Sequence, residues 1–264
     1  MVAAAGGTDG DGFHAPGVSE FFPDALFFEG TPFEINRIVL VRLLAVAILL
    51  FLFWLGLRKP KLIPGRGQSV AELGLGFVKN QIADEILGER LGRNYLPLLA
   101  GTFWGILAMN VTGVIPLLNI AGTSIFVMPL MFALAAYIAF IYAGFKEVGP
   151  GKFFKTQLFP SGVPWPIYII LTPVELLNIF IVRPLSLALR LTLNMMVGHL
   201  LLVLCFAATH FFFFSTSGLT TLFGGLTLVA GIAFTVFELI VALLQAYVFT
   251  LLTAVYIQQS VEEH

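Results

Sequence analysis

The sequence predicts an all-α membrane protein with about five membrane helices. The last two are long, strongly tilted and paired as an antiparallel hairpin, and an amphipathic helix lies on the cytoplasmic side. Three observations carry this expectation. Apolar residues make up 58% of the 264 residues and charged residues only 11%, against about 25% charged in soluble domains. A soluble fold of this size cannot hide that much apolar surface. The charges are also uneven: 19 of the 29 Asp, Glu, Lys and Arg precede Asn94, and eight lie between Asn94 and Val261. Finally, two apolar stretches near the carboxyl end run for about 48 and 37 residues, where an upright span needs about 20 at 1.5 Å per residue.

Residues 1–33 are rich in Gly, Asp and Pro and read as an acidic extracytoplasmic tail; residues 34–264 read as a single membrane domain. Met1 to Gly30 carries five acids and no Lys or Arg, the reverse of a secretory signal. The first span covers about 36–57, with Arg37 and Arg42 near its start. Arg58, Lys59, Lys61 and Arg66 follow it and mark the cytoplasmic side, which puts the amino terminus outside. Over 68–92, Ala71, Leu75, Val78, Ile82 and Ile86 share one helical stripe opposite Asn80 and Asp84. That pattern is either a surface helix on the membrane or an ordinary connector helix.

The second span covers about 95–117, entered past Arg90 and Arg93, and a loop at 119–123 turns it. The third covers about 124–145 and ends at Lys146, Lys152 and Lys155, again on the inside. From Pro164 the chain is nearly continuous apolar helix to Phe214, interrupted by Pro173 and Pro184. A Ser-Thr-Ser-Gly break at 215–218 precedes the final run over 222–258. The tilted hairpin (164–214 with 222–258) needs one turn and returns the carboxyl terminus to the cytoplasm.

Composition excludes several function classes. Net charge is −1, so there is no basic footprint for nucleic acid. One cysteine, Cys205, gives neither disulfide framework nor thiolate metal site. There is no HExxH, GxSxG or phosphate-binding loop, and no cofactor or metal cluster is implied.

The charges left inside the apolar hairpin carry the functional signal. Arg190 has no Asp or Glu after it until Glu238. An arginine at the bilayer centre costs about 2.5–3.5 kcal/mol on insertion scales, and it cannot escape by losing its proton. On a helix, Arg183, Ser186 and Asn194 lie within about 40° of Arg190. The bland alternative is that Arg190 snorkels, or pairs structurally with Glu175 or Glu238. His199 lies about 13.5 Å further along the axis and on the opposite face. It reads equally as a hydrogen-bonded core residue or as a proton carrier. Gly224, Gly231, Glu238 and Gln245 are spaced by seven and share a face, a groove for close helix packing that also holds a polar pair. Glu238 is either neutral by desolvation or ionised beside a partner, and both states suit a relay. Asn110 and Glu175 are weaker candidates; His210 reads as interfacial. Titratable groups plus one permanent cation suggest proton movement, with a proton-coupled secondary transporter as the alternative. That alternative predicts an internal repeat and a substrate pocket, and no repeat is visible.

The segment TPVELLNIFIVRPLSLALRLTLNMMVGHLLL (172–202) resembles the signature region of subunit a of the bacterial F-type ATP synthase. FELIVALLQAYVFTLLTAVYIQQSVEEH resembles that family's terminal helix, and MNVTGVIP (109–116) its second span. The resemblance covers most of 95–264. It implies a non-catalytic proton channel in the cell membrane, multi-pass, seated against a rotating c-subunit ring. The subunit b peripheral stalk, the remaining complex and membrane lipid are the other implied partners. Two offset half-channels would load and unload the ring carboxylates. Arg190 matches the essential arginine facing that carboxylate, Gln245 the glutamine beside it, and Asn194 the asparagine after it. His199 and Glu238 match the pair in the outer half-channel, with the histidine first. Asn110 matches a polar position of that half-channel, and Glu175 an acidic position linked to cytoplasmic access. Gly113 stands where some relatives carry an acid, so any role of that acid is absent.

Overall fold

The structure, a computed structural model, describes residues 25–27, 35–58, 65–115, 122–123, 125–158, 167–214 and 222 onward to 262, with Thr221 opening the last helix. The acidic tail before Ala25, Lys59, Lys61 and the 215–218 break lie outside the described residues. Two short strands, β1 (Ala25–Phe27) and β2 (Ile35–Asn36), pair antiparallel ahead of the first helix. Everything else of regular structure is helical: α1 (Arg37–Leu57), α2 (Arg66–Val78), π1 (Lys79–Leu87), α3 (Gly88–Val111), α4 (Val127–Glu147), α5 (Pro150–Leu158), α6 (Tyr168–Leu177), π2 (Asn178–Val182), α7 (Arg183–Phe214) and α8 (Thr221–Val261). The expectation of an all-α membrane protein with two long final helices holds.

Apart from Arg37 and Arg42 near its start, α1 is apolar on every side, and its buried residues Ile38, Val41 and Ala45 form one narrow stripe against the rest of the chain. That is the pattern of a helix whose remaining surface faces lipid. α2 and π1 run on as one helical stretch to Leu87, with Val78 and Ile82 fully buried against α3 and α8. Gly88, at φ +73°, then turns the chain through a conformation costly to any residue with a Cβ, and π1 packs back along α3. Gly149, at φ +89°, closes α4 in the same way: its N–H donates to the Gly144 carbonyl at 3.2 Å, a helix-terminating bond. The short α5 follows, an element the sequence did not suggest, and buries Phe153 among Phe140, Phe145 and Phe154.

Among the described residues, four helical stretches are long and apolar enough to cross a bilayer: 37–57, 127–147, 170–214 and 221–261. The second expected span falls short of that standard. α3 carries Glu89, Arg90, Arg93, Asn94 and Asn110, and ten of its residues are buried by protein, Thr102 and Asn110 among them. Neighbouring helices shield Thr102 and Asn110 from the penalty a lipid-facing helix would meet, while Glu89, Arg90, Arg93 and Asn94 are exposed at the start of the helix.

Pro173 and Pro184 do not end the long helix. Pro184 has no N–H to give to the ladder, and π2 lies immediately before Arg183 and Pro184, where the hydrogen-bond register widens. The rod therefore continues through both prolines to Phe214. Beside it α8 contacts α3, α4, α7 and π1. Its carboxyl half is the centre of the core, with Ala246, Phe249, Ala254 and Ile257 packed with Leu99, Ile106 and Leu191. Arg90 meets Glu147 at 3.3 Å and the Gln157 amide donates to the Gln259 carbonyl at 3.0 Å. The start of α3, the end of α4, α5 and the end of α8 thus share one end of the bundle.

The Gly144 position leaves no room for a side chain, because a Cβ there would overlap the Phe153 ring. Gly144→Val should displace Phe153 and lower stability by about 1–3 kcal/mol, read as an earlier thermal unfolding transition of the detergent-solubilised protein.

Candidate proton-translocation site

The hairpin is built by side chains that meet in opposite chain directions. A Cβ on Gly224 would touch Phe212 and Phe213 at 3.3 Å, and one on Gly231 would touch Phe206 at 3.4 Å and Cys205 at 3.5 Å. Thr209 donates to Thr227 at 2.9 Å. One on Gly198 would lie 3.4 Å from Glu238 Oε1. Asn194 Nδ2 donates to Gln245 Oε1 at 2.9 Å, and the Arg183 guanidinium stands 5.3 Å from the Tyr256 ring centre. The residue numbers rise on α7 as they fall on α8, so the helices are antiparallel. All four members of the seven-residue series on α8 are buried on this seam. Small residues set the close approach, and the polar pair fills the groove they leave.

Arg190 points away from that core. It is exposed between the buried Ala188 and Leu191 and has neither ion pair nor hydrogen bond among the described residues. The two carboxylates offered as structural partners are engaged otherwise. Glu175 Oε1 lies 3.6 Å from Arg183 Nη2 and accepts from Asn178 Nδ2 at 3.4 Å. Glu238 is 3% exposed, and both of its oxygens are buried without a hydrogen bond among the described residues. His199 is 4% exposed, one residue beyond the glycine that faces Glu238, and on the opposite side of α7 from Arg190. Gln245 is also buried, and its Nε2 has no acceptor among the described residues. A groove of about 340 Å³ runs between α7 and α8 on the exposed face, with Asn194 and Glu238 as its polar lining among Leu193, Val197, Phe234 and Phe237. The hairpin therefore carries an exposed cation without an ion pair among the described residues, a bonded carboxamide pair one turn on, and a buried carboxyl group beneath the groove. His210, by contrast, is exposed and lies 4.8 Å from the Phe214 ring centre.

The polar stripe divides. Arg183 turns inward, 17% exposed, between the Phe140 and Tyr256 rings, while Arg190 turns outward. Asn110 stands apart from the hairpin groups, at the other end of the bundle from Glu147. It is fully buried, and its Oδ1 accepts from Thr123 Oγ1 at 2.5 Å. Next to Thr123, the Gly122 carbonyl accepts from Arg42 Nε at 2.7 Å and its N–H donates to the Met109 carbonyl at 3.0 Å. Arg42 Nη2 and Asn110 Nδ2 are buried donors without acceptors among the described residues.

Arg42 is the residue that sequence reasoning passed over, since it was grouped with Arg37 as a flank of the first span. Its signal was depth: it is the sixth residue of α1, more than a full turn inside an apolar helix. Arg183 was named only as a member of the stripe, although an acid eight residues earlier was available to pair with it.

The sequence profile of the ATP synthase A chain family matches residues 39–258. Curated proteins named ATP synthase subunit a are similar along nearly the whole chain. That of Rhodococcus erythropolis is 45% identical over 256 residues, covering 96% of this chain and 93% of the relative. That of Streptomyces lividans is 33% identical, covering 97% and 90%. That of Pseudarthrobacter chlorophenolicus is 36% identical, covering 95% and 94%.

The Asn194–Gln245 bond ties the two helices beside Arg190. A double-mutant cycle with Asn194→Ala and Gln245→Ala should give a coupling of about 0.6–1.7 kcal/mol, measured by denaturant titration of the purified membrane protein; additive losses would exclude the bond.

Proposed function

Because the chain belongs to the ATP synthase A chain family, we propose that it is the proton-conducting stator subunit of a rotary ATP synthase, with Arg190 as its central group. Membership makes it a multi-pass membrane subunit of a proton-translocating ATP synthase. The finer reading is that it provides two offset half-channels to a ring of c subunits, whose carboxylates are loaded on one side and unloaded on the other. The observation that carries it is the exposed guanidinium of Arg190 on an apolar hairpin, without a partner among the described residues. A permanent cation so placed requires a counter-charge from outside the chain.

The physics follows from that requirement. A ring carboxylate in lipid prefers to be protonated. Beside Arg190 the ionised form is favoured over a short arc, and the cation bars a proton from passing directly between the half-channels. The Asn194–Gln245 pair braces the seam next to Arg190. Glu238, with His199 a residue beyond its glycine contact, would deliver protons from the outer side, and Asn110 would line that approach. Glu175, held by Arg183 and Asn178, would serve the cytoplasmic exit. Each elementary charge crossing 100 mV supplies about 2.3 kcal/mol, which biases the rotation. ATP chemistry would sit on other subunits, the b stalk would hold this chain still, and the basic residues beside the spans would keep the amino terminus outside a bacterial cell membrane.

Arg190→Ala in membrane vesicles should abolish ATP-driven proton pumping while the soluble catalytic part still hydrolyses ATP; coupled pumping that survives would overturn the assignment. Glu238→Gln should slow passive proton flux, and flux equal to wild type across about pH 6 to 8 would remove Glu238 from the path.

A further inference from the structure

Two recesses join where α1 ends and α2 begins. The first is an apolar cleft of about 440 Å³ between α1, α2 and α3, walled by Leu52, Phe53, Val70 and Trp104. Leu52 is 59% and Val70 73% exposed, so the cleft opens sideways. The second, about 430 Å³, is lined by Arg58, Arg66 and Gln68. Leu55, Gly56 and Gly67 line both, which makes them one continuous groove with an apolar body and a basic mouth.

The depth of the groove follows from α1. Its 21 residues are about the length that crosses a 30 Å hydrocarbon core. Arg58 caps its last residue, so the mouth sits at head-group level and the apolar body below it. Arg58 also lies over the Trp54 ring at 4.7 Å, an aromatic and cation pair suited to the interface. Arg58 and Arg66 are exposed and have no ion pair among the described residues. The carboxylate of Glu72 on α2 accepts a bond from Gln68 Nε2 at 2.6 Å, and among the described residues no acid lines the mouth itself.

We propose that this groove binds an anionic phospholipid of the adjoining leaflet, with an acyl chain along the cleft and the phosphate between Arg58 and Arg66. The charge of the mouth selects this occupant. An apolar transmembrane helix would cover the apolar walls but leave two guanidiniums without a counter-charge. A phospholipid with a net negative head group satisfies both halves, and a basic pocket between membrane helices is the setting in which such head groups are recognised. The site is separate from the proton path and does not depend on how Arg190 acts.

The test uses the assembled complex in proteoliposomes containing a phosphatidylglycerol that bears a photoactivatable acyl chain, with labelled peptides mapped by mass spectrometry. Labelling should fall on the walls, at Leu52, Phe53 and Val70, and be displaced by phosphatidylglycerol but not by phosphatidylcholine. It should drop about fivefold for each arginine removed by Arg58→Gln and Arg66→Gln. Gly67→Leu, whose added Cβ meets nothing within 4 Å, should block the groove without disturbing the fold and abolish the labelling. Equal labelling by a phosphatidylcholine analogue, labelling unchanged in these variants, or cross-linking of a neighbouring subunit's helix at the same walls would overturn the proposal.

Discussion

Close packing of α8 onto α7 is the contact on which the rest of the molecule depends. In lipid there is little hydrophobic drive to bring two apolar helices together, so association rests on fit and on internal hydrogen bonds. The series Gly224, Gly231, Glu238 and Gln245 supplies both, with two residues small enough for close approach and two polar enough to need the partner helix. Because Glu238 and Gln245 are buried at this seam, the neighbouring turn of α7 leaves Arg190 and Asn194 at its edge rather than in its centre. The same contact thus sets the depth of the acid and the exposure of the cation.

The two arginines of α7 illustrate how one residue type takes opposite roles within two turns. Arg183 is held inside the protein: a carboxylate 3.6 Å from Nη2 offsets its charge and the Phe140 and Tyr256 rings stand near its guanidinium, while its buried Nη1 has no acceptor among the described residues. Arg190 has none of these among the described residues. Glu175 lies fifteen residues earlier on the same rod, about 22 Å along its axis, out of reach of Arg190. The π-helical turn before Pro184 belongs to the same arrangement, since it carries the rod past the proline and sets where Arg183 enters the bundle.

Much of this was legible in the residues. Length alone separated the last two helices from ordinary spans, and the spacing of seven picked out the face of α8 that the seam buries. The opposite orientation of Arg190 and His199 followed from counting nine residues on a helix. Other features were hidden for physical reasons. α3 looks too polar to face lipid because it does not face lipid, and no local pattern reveals which helices will surround it. α5 is short and its one anchor, Phe153, gains its burial from a glycine nine residues earlier on a different helix. Arg42 resembled a topological marker because charge counting along a chain does not measure depth, and its partner, the Gly122 carbonyl, is 80 residues away.

The unequal burial along the hairpin has a mechanical consequence. From Ala242 onward α8 is gripped by three other helices as well as α7, and Leu187, Ala188, Leu191 and Met195 fix the matching part of α7. Toward Phe214 and Thr221 burial thins to single seam residues such as Thr209, Gly224 and Gly231. The hairpin is therefore a cantilever, clamped at the end near Arg183 and held by fewer buried residues where α7 nears Phe214 and α8 leaves Thr221. Arg190, flanked by clamped residues, keeps a fixed address, while compliance grows along the half that extends past His199 and Glu238.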